Sequence, residues 1–228
     1  MIDRPKAFLF DMDGTLYDSM PNHASSWYQM VREQGIDCSP EEFFLYEGAT
    51  GAWTVNLLYQ RAYGRDATPD EVQRLYERKA EIFRSKPHPS VMPGAGRLVE
   101  AVRNLPWHPQ TILVTGSAQG SLLGTLDADF PGAFPVERRV TALNVKRGKP
   151  FPDPFLQGAA LAGVAPEDCI VIENAPLGVR AGHAAGCFTV AVTTGPIPRK
   201  RMEEAGADLI FDSMPQCAAE LPEMLCKS

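Results

Sequence analysis

The stretch "KAFLFDMDGTLYDS", residues 6–19, starts as a buried strand and ends in two aspartates one residue apart, Asp11 and Asp13, followed at once by Gly14 and Thr15. Two carboxylates at a strand end repel each other and lose hydration, so the pair calls for a cation or a reaction. Working outward, short apolar runs recur at "TILVTG" (111–116), "CIVIEN" (169–174), "FTVAVTTG" (188–195) and "ADLIF" (207–211). Amphipathic stretches separate them, among them 95–103, 154–162 and 178–186. That alternation predicts an α/β fold, a parallel sheet with helices on both faces.

Residues 19–87 read differently. "NHASSWYQMVREQG", "ATGAWTVNLLYQRAYG" and "TPDEVQRLYERKAEIFRSK" are three helical periods with no strand between them, and "KPHPSVMPG" closes the segment with three prolines and a glycine. The expectation is a small all-helical domain inserted after the first strand, with 1–18 and 88–228 forming the core.

A chain of 228 residues can build such a core, and its 44% hydrophobic and 22% charged composition is that of an ordinary globular protein. The net charge of -6, with no basic stretch to offset it, argues against nucleic acid or an anionic membrane as partner. The five cysteines are scattered, without a CxxC pair, so a reducing cytoplasm is the expected setting. The apolar run in "MIDRPKAFLFDMD" is too short for a signal segment, and no stretch reaches the length of a membrane span. No obligate protein partner is indicated; a small phosphate-bearing molecule is the partner expected.

In an open parallel sheet, ligands bind beyond the carboxyl ends of the strands. Four features belong there: the aspartate pair, Thr115-Gly116-Ser117, Lys149 ahead of a helix, and Glu173-Asn174. Singly, each also reads as a turn, a helix cap or a solvated charge. Together they describe phosphoryl transfer. Asp11 is the expected nucleophile on phosphorus, and Asp13 the acid that protonates the leaving group and then the base that activates water. Thr115 and the amides of Gly116 and Ser117 are expected to hold phosphoryl oxygens, with Lys149 supplying fixed positive charge. Asp11, the Asp13 carbonyl and Asn174, with Glu173 beside it, suit Mg2+, a hard ion that takes oxygen ligands.

The motifs "DMDGTLYDS", "LVTGS", "GKPFPDPF" and "VIENAPLGVRAGHAAGC" resemble the four motifs of the haloacid dehalogenase superfamily, in its β-phosphoglucomutase-like branch with a helical cap. The resemblance spans nearly the whole chain. It implies a Rossmann-like core, Mg2+ dependence and an aspartyl-phosphate. The dehalogenases proper lack the second aspartate, so Asp13 points to phosphate chemistry. One departure is Asn174, which stands where most of the branch carries a second acid.

The cap is expected to choose the leaving group. Sugar-phosphate mutases of the branch resemble this chain at His23 and Trp27, but carry a lysine where it has Glu47 and an arginine where it has Gly51. Glu47 is therefore expected to reach the metal from the cap and replace the charge absent at Asn174. His23 and Lys79 are expected to bind the leaving group. These features resemble an inorganic pyrophosphatase subgroup, which makes diphosphate hydrolysis the first expectation. A sugar-phosphate phosphatase or β-phosphoglucomutase is the alternative, and a non-catalytic binding protein on the same fold the remote one. The aromatic residues Trp53 and Trp107 and the thiols Cys169 and Cys187 are expected to serve packing.

Overall fold

The computed structural model describes residues 3–117 and 120–227, so positions 1–2, 118–119 and 228 of the expected core lie outside the described residues. Strand β1 (Ala7–Phe10) leads through the aspartate turn into helices α1 (Met20–Glu33), α2 (Glu42–Leu45), α3 (Gly51–Tyr63) and α4 (Pro69–Arg84). Helix α5 (Ala95–Arg103), β2 (Gln110–Val114), α6 (Gly120–Asp129), β3 (Arg139–Val140) and α7 (Asp153–Ala162) follow. The chain closes with β4 (Cys169–Glu173), α8 (Pro176–Ala184), β5 (Phe188–Val192), α9 (Arg199–Ala205), β6 (Leu209–Phe211) and α10 (Met214–Cys226).

The six strands form one parallel sheet in the order β3-β2-β1-β4-β5-β6. Strand β1 is central, and its side chains alternate between two cores. Phe8 and Phe10 pack with Leu98 and Val102 of α5 and Leu221 of α10, while Ala7 and Leu9 pack with Phe155 and Ala159 of α7. A strand covered on both faces needs apolar residues at every position, which is why "AFLF" shows no polar alternation. The order of strands reverses between β1 and β4, the switch point where an open sheet leaves a crevice at its carboxyl edge. Strand β3, two residues long, is one that the apolar pattern does not foresee.

Helices α1 to α4 make a cap with its own core, built on Trp27, Met30, Phe43, Leu58, Leu75 and Ile82. Local signals set its helix ends. Thr68 and Glu71 form a reciprocal capping box at the start of α4, and Gly64, in the left-handed region, ends α3. The two linkers between cap and core run side by side: the Asp18 amide donates to the Ser90 carbonyl at 2.9 Å, and the Met92 amide to the Leu16 carbonyl at 2.8 Å. Tyr17, between them, bridges to Val91 and donates its hydroxyl to Asp129 of α6 at 2.8 Å. Among the described residues no helix is long and apolar enough to cross a membrane.

Candidate active site

The turn after β1 is held from three directions. The Asp11 amide donates to the Ile172 carbonyl at 3.0 Å as the last rung toward β4. The Thr15 hydroxyl donates to Asn174 Oδ1 at 3.1 Å, and the Thr194 hydroxyl to the Gly14 carbonyl at 2.6 Å. Gly14 itself has φ +80°, and a Cβ there would overlap the Asn174 amide and the Glu47 carboxylate. Only glycine meets both demands.

Beneath the turn lies Lys149, 1% exposed. Its ammonium donates to Asp11 Oδ1 at 2.6 Å, to the Val114 carbonyl at 3.2 Å and to Glu173 Oε1. The other Glu173 oxygen accepts the amides of Asn174 (3.0 Å) and Ala175 (3.2 Å) at the start of α8. Glu173 is thus fully engaged within the protein, fixing Lys149 and the strand-to-helix turn. Burial works against the Lys149 charge, but Asp11 and Glu173 together raise its pKa. Asp11 is pushed up to about 8, by burial first and the Glu173 charge second, with Lys149 pulling the other way. Its Oδ2 is buried and has no hydrogen-bond partner among the described residues.

Asp13 is held by the cap. Its Oδ1 accepts from the Ser19 hydroxyl at 2.7 Å and from His23 Nε2 at 2.9 Å, while Lys79 Nζ donates to His23 Nδ1 at 2.6 Å. Lys79 also stands 5.4 Å from the centre of the Trp27 ring and 5.1 Å from that of Phe83. Burial and the Lys79 charge lower the His23 pKa, so the ring is neutral near pH 7 and reads as donor at Nε2 and acceptor at Nδ1. Burial opposes ionisation of Asp13, but the contacts from His23 and Ser19 outweigh it and lower its pKa. Burial likewise brings Lys79 down to about 7, against the pull of Asp13. Ser19 was not singled out in the sequence, although it closes the aspartate motif, at the spacing of a helix cap.

The cap loop 47–50 lies directly on the core. Asn174 Nδ2 donates to Glu47 Oε1 at 2.6 Å, and Glu47 is buried. Burial raises the Glu47 pKa well above the usual carboxylate range; the Asn174 hydrogen bond opposes this, and the Asp11, Glu173 and Asp13 charges add to it. Gly116 and Gly148 each face this loop so closely that a Cβ would overlap the Gly48 carbonyl or the Thr50 methyl, and Gly48 sits over the Lys149 stem. Thr115 Oγ1 accepts the Ser117 amide at 3.0 Å, so that N–H, expected on a phosphoryl oxygen, is engaged within the loop.

Between cap and core is a cavity of about 50 Å³. Asp11, Asp13, His23, Glu47, Lys79, Gly116 and Ser117 all line it, and so do the rings of Trp27, Phe43, Tyr46 and Tyr76. The remaining residues singled out in the sequence, Thr115, Lys149, Glu173 and Asn174, are buried around it. Gly51, where the mutases carry an arginine, faces the Tyr76 ring so closely that even a Cβ would overlap it.

The residues fit a divalent cation. Among the described residues no three histidine, cysteine or carboxylate side chains form a metal set by themselves, so the donors here would be mixed. Asp11 and Glu47 supply carboxylates, Asn174 an amide oxygen and Asp13 a backbone carbonyl, all hard oxygen donors. The unpartnered Asp11 oxygen, together with two carboxylates, Asp11 and Glu47, driven toward protonation by burial and by the neighbouring acidic charges, is the imbalance that a cation removes.

A family model described as haloacid dehalogenase-like hydrolase matches residues 5–186. Hexitol phosphatase A of Escherichia coli is 35% identical over 215 residues, 93% of each chain. A fructose-1-phosphate phosphatase of the same organism is 31% identical over 193 residues, 84% of this chain and 98% of that one. The solved structure of a "Putative beta-phosphoglucomutase from Bacteroides vulgatus" superposes with a TM-score of 0.92 at 43% identity, covering 98% of this chain and 90% of the other. With the four motifs at the carboxyl edge of its sheet and a helical cap over them, the chain belongs to the haloacid dehalogenase-like hydrolases, in their β-phosphoglucomutase-like branch.

Proposed function

We propose that the protein is a Mg2+-dependent phosphatase that cleaves small sugar or polyol monophosphates through an aspartyl-phosphate on Asp11. Asp11 is the nucleophile: Lys149 fixes its Oδ1 and favours the ionised form, while Oδ2 is left without a partner. Mg2+, held by Asp11, Glu47, Asn174 and the Asp13 carbonyl, would neutralise charge on the phosphoryl oxygens and lower the repulsion that an anionic substrate meets. Lys149 supplies the permanent part of that field from below.

Asp13 moves the proton. A bound phosphate dianion raises its pKa by like charge, so it gives a proton to the leaving alkoxide and later takes one from the water that hydrolyses the aspartyl-phosphate. His23 and Ser19 hold the carboxylate in place through both steps.

The observation that carries the choice of substrate is the lining of the cap side. Four aromatic residues line the cap side of the cavity, with His23, Glu47 and a single lysine, Lys79, among its polar groups. That surface suits the C–H faces and hydroxyls of an uncharged polyol better than a second phosphate, which needs several cations. The relatives named for hexitol and fructose 1-phosphate hydrolysis support the same reading. A mutase would need an anchor for a second phosphate, and Gly51 against Tyr76 leaves no room for one.

Diphosphate hydrolysis, the first expectation from the sequence, finds no support among the relatives. One observation still favours it as a second reading: the cap carboxylate Glu47 meets Asn174 inside a cavity of only about 50 Å³, tight for a hexose. The test is initial-rate phosphate release with Mg2+ from hexitol phosphates, fructose 1-phosphate, glucose 6-phosphate, β-glucose 1-phosphate and diphosphate, with Asp11→Asn as blank. A sugar or polyol phosphate leading by about tenfold in kcat/KM, about 1.4 kcal/mol, supports the first reading. Diphosphate leading by that margin overturns it.

A further inference from the structure

The cap loop that brings Glu47 to Asn174 touches the core mainly through glycines and polar atoms. Gly48 lies over Gly116 and the Lys149 stem, Thr50 over Gly148, and Glu47 over Gly14. These contacts define how close the loop comes. They bury little apolar surface, so by themselves they give it small reason to stay.

Phe44 is different. It sits in the short helix α2, three residues before Glu47, and packs against the cap core around Phe43. It also packs against a separate cluster in the core, formed by Val179, Ala191, Ile197, Met202 and Ala205. It joins the cap cluster to this core cluster, while Phe83 of α4 packs instead within the larger core cluster around Phe10 and Tyr17. Gly195, after β5, flanks the Phe44 ring: a Cβ there would stand 4.0 Å from Cδ1, an ordinary van der Waals contact. Phe44 then shares a groove with Gly14 and Asn174, the two residues that Glu47 meets.

We propose that Phe44 is the positioning residue for Glu47: its ring, seated on the core, supplies the apolar contact that keeps the cap loop down and the carboxylate in the metal site. This rests on the reading of Glu47 as a ligand. The linkage is thermodynamic. If the cation binds fully only when Glu47 is seated, its apparent affinity scales with the fraction of molecules in that state, and a weaker seat lowers the fraction. Phe44 touches neither substrate nor cation in this scheme, so its effect must disappear once Glu47 is gone.

That non-additivity is the test. The probe is Mn2+, with free Mn2+ measured by electron paramagnetic resonance on the full chain without substrate, for the wild type, Phe44→Ala, Glu47→Ala and the double variant. Thermal melts verify that each is folded. Phe44→Ala should weaken Mn2+ about tenfold, Phe44→Leu should recover most of the loss, and Phe44→Ala should cost nothing more in the Glu47→Ala background. Ile197→Ala, which thins the core half of the seat and leaves the cap intact, should weaken Mn2+ in the same direction and serves if Phe44→Ala does not fold.

An unchanged Mn2+ affinity in Phe44→Ala and Ile197→Ala, with Glu47→Ala clearly weakened, overturns the role of Phe44 and leaves the metal site standing. A full Phe44→Ala loss that persists without Glu47 also overturns it, since the ring would then act on something else. If Glu47→Ala alone leaves Mn2+ binding unchanged, the metal reading fails first and the Phe44 role falls with it.

Discussion

Replacing Lys79 by methionine should stabilise the protein while damaging its activity. The ammonium is 2% exposed, hydrogen-bonded to a neutral imidazole and walled by Trp27 and Phe83. Burial takes its pKa from 10.5 to about 7. At about 1.4 kcal/mol per pH unit, that corresponds to roughly 5 kcal/mol as an upper limit on the cost of keeping the charge in the fold. The charge also gains from the two ring faces, about 0.5–2 kcal/mol, which methionine forfeits along with the His23 hydrogen bond. The expected net gain is therefore about 2–3 kcal/mol at pH 7, or roughly 5–10 °C in Tm for a chain of this size.

The sign with pH is fixed. Between pH 7 and 10.5 the unfolded chain holds a proton on Lys79 that the folded one has released, so wild-type stability rises with pH on this account. The Lys79 charge also lowers the pKa of His23 and of Asp13, so those two groups shift in the variant, while groups away from Lys79 titrate alike in both proteins. The advantage of Lys79→Met should thus be largest at pH 7 and below, and shrink steadily toward pH 10. Urea melts of both proteins at pH 7, 8.5 and 10 measure it, and kcat/KM should fall at least tenfold in parallel. A variant less stable than wild type at pH 7, or a gap that does not close with pH, would refute the account of Lys79 as a strained buried cation.

The other predictions concern the cap, the nucleophile and a helix end. Gly116→Ala should cut kcat/KM about a hundredfold with little change in Tm, because its methyl meets the Gly48 carbonyl of the cap loop and not the sheet; steady-state kinetics beside a melt separate the two. Asp11→Asn should abolish phosphate release and acid-stable labelling of the protein by phosphoryl donor, followed by intact mass. Glu47→Gln should raise the Mg2+ concentration for half-maximal rate about tenfold, read from a metal titration at saturating substrate. Thr68→Ala breaks the capping box of α4 and should cost about 1 kcal/mol in a urea melt while leaving kcat unchanged.

The sheet was legible because a strand buried on both faces must be apolar throughout, so "AFLF" and "CIVIE" stand out without any partner being known. Strand β3 was not, since "RV" is two residues long at an edge and carries no pattern. The polar residues at strand ends were legible for a related reason: each alone reads as a turn, a cap or a solvated charge, but carboxylates, an amide and a lysine gathered at one sheet edge point together to a site. What one sequence could not give is which of them touch. That Glu173 is used up on Lys149 and two amides, and that the Ser117 amide turns to Thr115, depends on a few ångströms of tertiary placement. The contact between Gly48 and Gly116 joins positions 68 apart in sequence, and glycines leave no hydropathy signal by which to find each other. Glu47 was read as a partner of the Asn174 end only through the family resemblance, not from its local pattern.

The paired linkers also bear on how such a molecule could diversify. Because Asp18 and Ser90 are hydrogen-bonded neighbours, the chain leaves the core and returns to it at almost the same point. From the viewpoint of the sheet, the whole cap is one long loop whose ends are already closed, and closing a longer or shorter one changes the entropy by little. Lids of different size or shape could then be exchanged at that junction without disturbing the register of β1 with β2 and β4. The proposed reacting groups Asp11, Asp13 and Lys149 belong to the core side of the junction and the aromatic wall to the lid, so on that reading the chemistry can be kept while the choice of molecule is rewritten.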